Sequence, residues 1–327
     1  RNVSGSLITG NNRMLSKILS DTQLDRLELT ELLGARDASC PKGKKVGVKK
    51  IRTIGIDGGV DMEKSIAIDN KEYTIPAIFS YSEKNEKMPT VILCHGTGSQ
   101  KNEVGNLFVE LSRKLLNIGI ASIRFDYAGC GDSKADQTKL SFCGEVNDTK
   151  TVYQYLCTQE IVDCNNIGIL GFSQGARVMA ELLKDVSPIR FAISWSGACH
   201  NGIGVFKGWF NEYYKEALES GYAKIPLFWR EDLLLSKKWF DDICDTTPMV
   251  GIQRYAGPIL AIAGDEDELV PYHHAKEIVE NSKNNKSKVV IVPNSNHTFN
   301  VLIPNASKAN DVIEITLKWI KNILQIN

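Results

Sequence analysis

Apolar residues along this chain recur at two spacings that take turns. Short β-like runs come first, at 46–54, 63–68 and 72–81, and nearly continuous apolar blocks follow at 90–94, 120–125, 167–170, 191–195, 259–263 and 289–292. Between the blocks, apolar positions fall three or four residues apart over 103–117, 145–157, 174–184, 272–281 and 308–324. Apolar strands alternating with one-sided helices predict an α/β fold, a mostly parallel central sheet flanked by helices on both faces, with antiparallel strands at its leading edge.

The alternation breaks between Gly197 and Gly257, a stretch carrying Phe206, Trp209, Phe210, Tyr213, Tyr214, Tyr222, Phe228, Trp229, Trp239 and Phe240. So aromatic an insertion between two core strands predicts a helical cap over the strand ends, spanning about 198–256. Most of its rings are expected to fill the cap's own core, and Trp209, Phe210, Trp229 and Trp239 are the candidates to face a pocket. Residues 1–45 are polar, with Met14, Leu15, Ile18, Leu19, Leu24, Leu27, Leu32 and Leu33 at roughly helical spacing. They read as a helical extension that packs on the main domain, 46–327, or on a second copy of the chain, which leaves a homodimer open.

Composition narrows the function classes. Lys+Arg and Asp+Glu are equal at 39 each, so no long-range field favours nucleic acid or an anionic membrane, and small or neutral substrates are expected. The eight cysteines show neither C-x-x-C pairs nor the dense spacing of a disulfide scaffold, which points to reduced thiols. The chain begins at Arg1 without an apolar leader, and no run approaches the ~18 apolar residues of a membrane span. A cytoplasmic protein without a membrane span is the expectation, and nothing in the chain calls for a metal or a cofactor.

Chemistry concentrates at Gly171-Phe172-Ser173-Gln174-Gly175, which follows the apolar run 167–170 and opens a helix-like stretch. That is the strand, sharp turn and helix setting of a nucleophilic serine, and Gly171, Gly175 and Ala176 are small enough for strand and helix to approach. A serine hydroxyl is a weak nucleophile at neutral pH, so it needs a histidine base and a third group to orient that base. His297 stands on the loop after the last apolar block, and the carboxylates Asp265, Glu266, Asp267 and Glu268 stand just past the preceding one. Of the other histidines, His200, His273 and His274 are satisfied by surface or capping roles, and His95 by bracing its loop.

With these residues in place, the chain resembles an α/β-hydrolase, whose members carry Ser, acid and His in that order. The resemblance covers roughly 46–327. Its G-x-x-D-x-x-V-P pattern falls on Asp267, with Asp265 and Glu268 as competitors. It also implies an oxyanion hole built from two backbone amides: that of Gln174, directly after the nucleophile, and that of Thr97 in the H-G-x-like loop His95-Gly96-Thr97-Gly98. A further match, Arg124-Phe125-Asp126-Tyr127-Ala128-Gly129-Cys130-Gly131-Asp132-Ser133, is similar to a family segment whose role is architectural. Together with the aromatic cap, these features resemble the cinnamoyl or feruloyl esterase branch of the serine carboxylesterases more than lipases or peptidases. Thr97 stands where that branch often has an aromatic residue. The implied activity is hydrolysis of small aryl or hydroxycinnamoyl esters through an acyl-enzyme, with a small-molecule ester as partner. Gly-Phe-Ser-Gln-Gly is also similar to acyl-protein thioesterases, and short-chain acyl esters or a non-enzymatic ligand-binding role on the same fold are the remaining alternatives.

Overall fold

The structure, a computed structural model, describes residues 50–54, 60–83, 86–185, 188–227 and 230–326. The extension expected at 1–45 lies outside the described residues, as does Trp229.

In chain order the elements are β1 (Lys50–Ile54), β2 (Val60–Asp69), β3 (Thr74–Glu83), β4 (Met88–Cys94), α1 (Leu107–Leu116), β5 (Ala121–Phe125), α2 (Phe142–Cys157), β6 (Val162–Phe172), α3 (Gln174–Leu182) and β7 (Phe191–Trp195). The inserted stretch then holds α4 (Lys207–Ser220), β8 (Tyr222–Ile225), β9 (Leu233–Ser236), α5 (Lys237–Asp245) and α6 (Pro248–Arg254). The main alternation resumes with β10 (Ile259–Gly264), α7 (His273–Glu280), β11 (Lys288–Val292) and α8 (Ala309–Leu324).

Nine strands form one sheet in the order β1-β2-β3-β5-β4-β6-β7-β10-β11. From β1 to β5 the neighbours are antiparallel, and from β5 to β11 they are parallel. Strands β5, β7 and β10 are buried along their whole length, as expected for parallel strands covered on both faces. Alternate residues feed two cores. Val91, Leu93, Ile193 and Ile262 pack under α1 and α8, while Ile92, Ala192, Ala261 and Ala263 pack under α2, α3 and α7.

The strand order reverses between β4 and β6, because the chain leaves β4 for β5 on one side and then returns to β6 on the other. In open α/β sheets the crevice at the carboxyl ends of such a pair is where ligands bind. The loops of interest, 95–98 after β4 and 173 after β6, leave the sheet at this point.

Two differences from the sequence reading have local causes. The first sheet-covering helix begins at Leu107 rather than 103, because Glu103 (φ 59°) turns back and its carboxylate accepts from the Gly96 amide at 2.7 Å and the Ser99 hydroxyl at 2.7 Å. The insertion is not purely helical: β8 and β9 pair as an antiparallel hairpin, Tyr222 opposite Ser236 and Ile225 opposite Leu233. Alternating burial, with Ala223, Ile225, Leu233 and Leu235 facing inward, is the strand signal within that stretch. The insertion is tied to the main body through Arg177 of α3, whose buried guanidinium donates to the Gly202 carbonyl at 2.5 Å and to the Ile243 carbonyl and Thr246 hydroxyl, each at 3.2 Å.

Candidate active site

Strand β6 ends at Phe172, and Ser173 follows with φ 53° and ψ −119°, a conformation L-residues rarely adopt. Two things hold it there. The Ser173 amide donates to the Trp195 carbonyl at 2.8 Å, and α3 starts immediately behind. A side chain at Gly175 would collide with the carbonyl of Cys94, so the close approach of α3 to the end of β4 depends on glycine at that position.

His297 and Asp267 come from the loops after β11 and β10. These loops are stitched to each other: the Glu266 amide donates to the Ser295 carbonyl at 3.0 Å, and the Asp265 amide to the Val292 carbonyl at 3.1 Å. Asn296 and Asn300 brace the histidine turn, the Asn296 side chain accepting from the Asn300 amide at 2.9 Å and the Asn300 side chain from the Asn296 amide at 3.0 Å. The result is a continuous chain of polar contacts. Ser173 Oγ lies 3.0 Å from His297 Nε2, and His297 Nδ1 lies 2.8 Å from Asp267 Oδ2. The other oxygen of Asp267 accepts from the amides of Leu269 and Val270 at 2.9 and 2.8 Å, so the carboxylate cannot swing away. Asp267 is buried, whereas the competing Asp265 and Glu268 are exposed. The Phe172 ring lies beside the imidazole, tilted 52° to it with ring centroids 5.4 Å apart.

The loop after β4 closes a turn in which the Ser99 amide donates to the Gly96 carbonyl at 3.2 Å. Thr97 and Gly98 occupy its two central positions, Gly98 at φ +62°, and the turn bond itself does not use the Thr97 N–H. Gln174 is the first residue of α3, so its N–H has no intrahelical acceptor. The two residues are joined through their side chains as well, the Thr97 hydroxyl donating to the Gln174 carbonyl oxygen at 2.7 Å. Gly96 lies against Ser173: a Cβ built on it would sit 3.4 Å from the Ser173 Cβ.

The sequence reading passed over Glu145. This residue of α2 is buried and accepts a hydrogen bond from the Gln174 side-chain amide, so Glu145, Gln174 and Thr97 form one polar line beneath the turn at Ser173. Burial, reinforced by the nearby Asp148 and Asp242, pushes the Glu145 carboxyl well above the usual carboxylate range. A lone acidic residue in a helix's first turn looks like a helix-dipole partner in sequence, and only the fold reveals its second role. His95 braces its loop. Its ring nitrogens lie 2.8 Å from the Gly96 carbonyl and 3.3 Å from the Tyr127 amide, and burial holds its pKa below the ordinary value. In the Arg124–Ser133 segment, Asp126 accepts from the amides of Lys101 and Asp132 at 2.7 and 2.9 Å and pairs with the Lys101 ammonium at 2.5 Å. The described cysteines are free thiols, and burial pushes Cys94 up to about 12, which removes it as a nucleophile.

The aromatic candidates for substrate contact divide. Trp239 has no exposed surface: it packs on Phe206, Trp209 and Phe240 at centroid distances of 5.0, 5.9 and 5.1 Å, in the insertion's own core. That corrects its placement as a pocket residue. The hydrophobic gain of joining this cluster outweighs presenting a large ring to solvent. Trp209 and Phe210 are half-buried on the same cluster.

Sequence comparison matches residues 143–327, more than half of the chain and the part that holds Ser173, Asp267 and His297, to the model of the prolyl oligopeptidase family. The chain belongs to this family. It is an α/β-hydrolase of the serine-hydrolase type. Among curated proteins, it is 33% identical over 125 residues to an uncharacterized 31.7 kDa protein of Escherichia coli from the traX-finO intergenic region, covering 36% of this chain and 43% of that protein. The chain thus matches less than half the length of that relative. It is 24% identical over 243 residues to an acyl transferase of Photobacterium leiognathi, covering 70% and 72% of the two chains. Among solved structures, Est1E from Butyrivibrio proteoclasticus, captured with ferulic acid, superposes with a TM-score of 0.62 over 78% of this chain and 99% of its own, at 21% identity. At that identity the likeness carries the fold alone. Among the described residues, no helix is long and apolar enough to cross a membrane.

Proposed function

We propose that the protein is a serine esterase that cleaves small aryl or hydroxycinnamoyl esters through an acyl-enzyme. The observation that carries this reading is the unbroken line Ser173 Oγ, His297, Asp267, at 3.0 and 2.8 Å. His297 Nε2 takes the proton of Ser173 as Oγ attacks the ester carbonyl, forming the tetrahedral intermediate. Asp267 fixes the tautomer with the proton on Nδ1 and stabilises the imidazolium that results. The oxyanion is held by the amides of Gln174 and Thr97, preset by the helix start and the glycine turn before substrate arrives. Collapse expels the alcohol, protonated by His297, and a water activated by the same histidine then releases the acid. Trp209 and Phe210, half-buried on the insertion, are the rings we assign to an aryl group of the substrate. The acyl transferase relative supports an acyl-transfer chemistry.

Membership of the prolyl oligopeptidase family favours a second reading, in which the same acyl-enzyme route cleaves a peptide amide. One panel separates them: methyl ferulate, p-nitrophenyl acetate and longer aliphatic esters, an acyl thioester, and a prolyl anilide peptide. The esterase reading expects the aryl and hydroxycinnamoyl esters to give the highest kcat/KM. A faster prolyl anilide decides for the peptidase, and a faster thioester for a thioesterase. A fluorophosphonate should add its mass at Ser173, and Ser173→Ala should lower kcat by about 10⁴-fold or more with the fold intact. No adduct and no turnover would reject catalysis altogether and leave a ligand-binding module.

A further inference from the structure

Away from the serine, the fold assembles a second polar cluster that the esterase reading does not use. His274 and Glu277 stand one turn apart on α7, and His200 comes from the loop that leads from β7 into the insertion. Glu277 Oε2 lies 3.0 Å from His200 Nε2 and 3.1 Å from His274 Nδ1, and one donor atom from each of the three residues lies within 4.8 Å of the others. We propose that His200, His274 and Glu277 form a binding site for one divalent transition ion of the zinc class.

The donor set is two imidazole nitrogens and one carboxylate oxygen, the combination that suits zinc rather than magnesium or calcium. Donor atoms held at about 2.0–2.2 Å from zinc stand roughly 3.3–3.6 Å from each other, so small rotations of the three side chains bring their atoms onto one ion. His274 is anchored, its side chain only 10% exposed, while those of His200 and Glu277 are 35% and 40% exposed and open a route from solvent. Their exposed side leaves room for a water as fourth ligand. The two imidazoles meet edge to face, centroids 4.5 Å apart, and His200 Nδ1 is buried without a hydrogen-bond partner among the described residues, so Glu277 is the described polar contact that orients this ring. The sequence carries no metal motif here because His200 lies more than seventy positions from His274 and Glu277. The ion would fasten the start of the insertion to the helix that follows the Asp267 loop, which makes it a clamp on the insertion rather than a group that touches the ester.

The test uses the full chain with its accessible thiols, which among the described residues include Cys143, Cys157 and Cys244, blocked by iodoacetamide so that they do not capture metal. After chelation, equilibrium dialysis against zinc chloride near neutral pH should load about one zinc per chain and raise the Tm, and cobalt(II) should give visible ligand-field bands. His200→Ala and Glu277→Gln, both at half-exposed positions and therefore expected to fold, should each weaken zinc binding by about tenfold or more. His273→Ala should leave it unchanged. Protein phosphonylated at Ser173 should bind zinc as before, so the outcome is independent of the proposed esterase chemistry. Absence of binding, equal binding by the two ligand variants, or loss of binding on phosphonylation would overturn the proposal.

Discussion

Glu145 offers a test in which sign and size follow from its surroundings. It is buried, its described partner is the neutral amide of Gln174, and no described cation pairs with it. Burial therefore raises its pKa well above the ordinary 4.5, and Asp148 and Asp242 add to the effect. In the unfolded chain the same carboxyl loses its proton near its ordinary pKa. The folded state thus holds a proton that the unfolded state releases, and the stabilising difference is fully present below about pH 4.5 and is lost as pH rises through the folded pKa. Over that window one proton changes stability by about 1.4 kcal/mol per pH unit. Glu145→Gln keeps the shape and an acceptor for the Gln174 amide but has no proton to lose. Urea unfolding of both proteins across roughly pH 5–8 should show the variant gaining on the parent by up to about 1.4 kcal/mol per unit as pH rises. Asp148, raised to about 6, contributes with the same sign in both proteins. Parallel curves would refute the account of Glu145. Glu145→Ala, by contrast, leaves the Gln174 amide without its acceptor, and should cost about 1–3 kcal/mol of stability and lower kcat where Glu145→Gln does not.

Two further outcomes follow from the site. Asp267→Asn turns an acceptor into a donor toward His297 Nδ1 and favours the wrong tautomer, so kcat for an aryl ester should fall by about 10⁴-fold with little change in KM. A loss under about tenfold would remove Asp267 from the relay. Lys101→Met strips the ammonium from Asp126, whose side chain is wholly buried, and should cost about 3–5 kcal/mol in urea unfolding. The added substitution Asp126→Asn should recover part of it, and no recovery would mean that the loss is not electrostatic.

What was legible in the sequence is whatever sits directly after an apolar strand. Ser173, Asp267 and His297 each follow a parallel strand by one to five positions, so strand periodicity and chain order were enough to propose them. The polar line beneath them was not legible. Glu145 and Gln174 are 29 positions apart on different helices, and no local pattern announces that their side chains meet. Glu103 looked like a helix residue because its neighbours carry helical spacing, but two hydrogen bonds from the loop after β4 outweigh that preference and delay the helix to Leu107. The aromatic residues of the insertion misled for a related reason. Composition gives a ring's identity and not its direction, and Trp239 gained more from neighbouring rings than from a pocket. The hairpin β8–β9 escaped notice because four-residue strands offer too few alternations to stand out from a helical reading.

That hairpin packs against the turn at Gly98, whose Thr97 amide is the proposed oxyanion donor. Leu233 of β9 is fully buried, and its methyl groups lie 3.0 Å from where a Cβ on Gly98 would stand, while the Arg230 guanidinium donates to the Gly98 carbonyl. The turn that presents the Thr97 amide is therefore held from the outside by the insertion and from the inside by Gln174. If that support sets the turn, Leu233→Ala opens a cavity against it, costing about 2–5 kcal/mol of stability, and the loosened amide should bind the oxyanion less well than it is presented in the parent. Because the oxyanion forms only after attack, the loss should fall on kcat and leave KM nearly unchanged for the smallest ester, p-nitrophenyl acetate, which has no acyl chain to reach the insertion. Leu233→Met, which nearly preserves the volume, should restore kcat. A Leu233→Ala enzyme with full kcat and a raised KM would show instead that the hairpin shapes the substrate pocket and leaves the oxyanion turn alone.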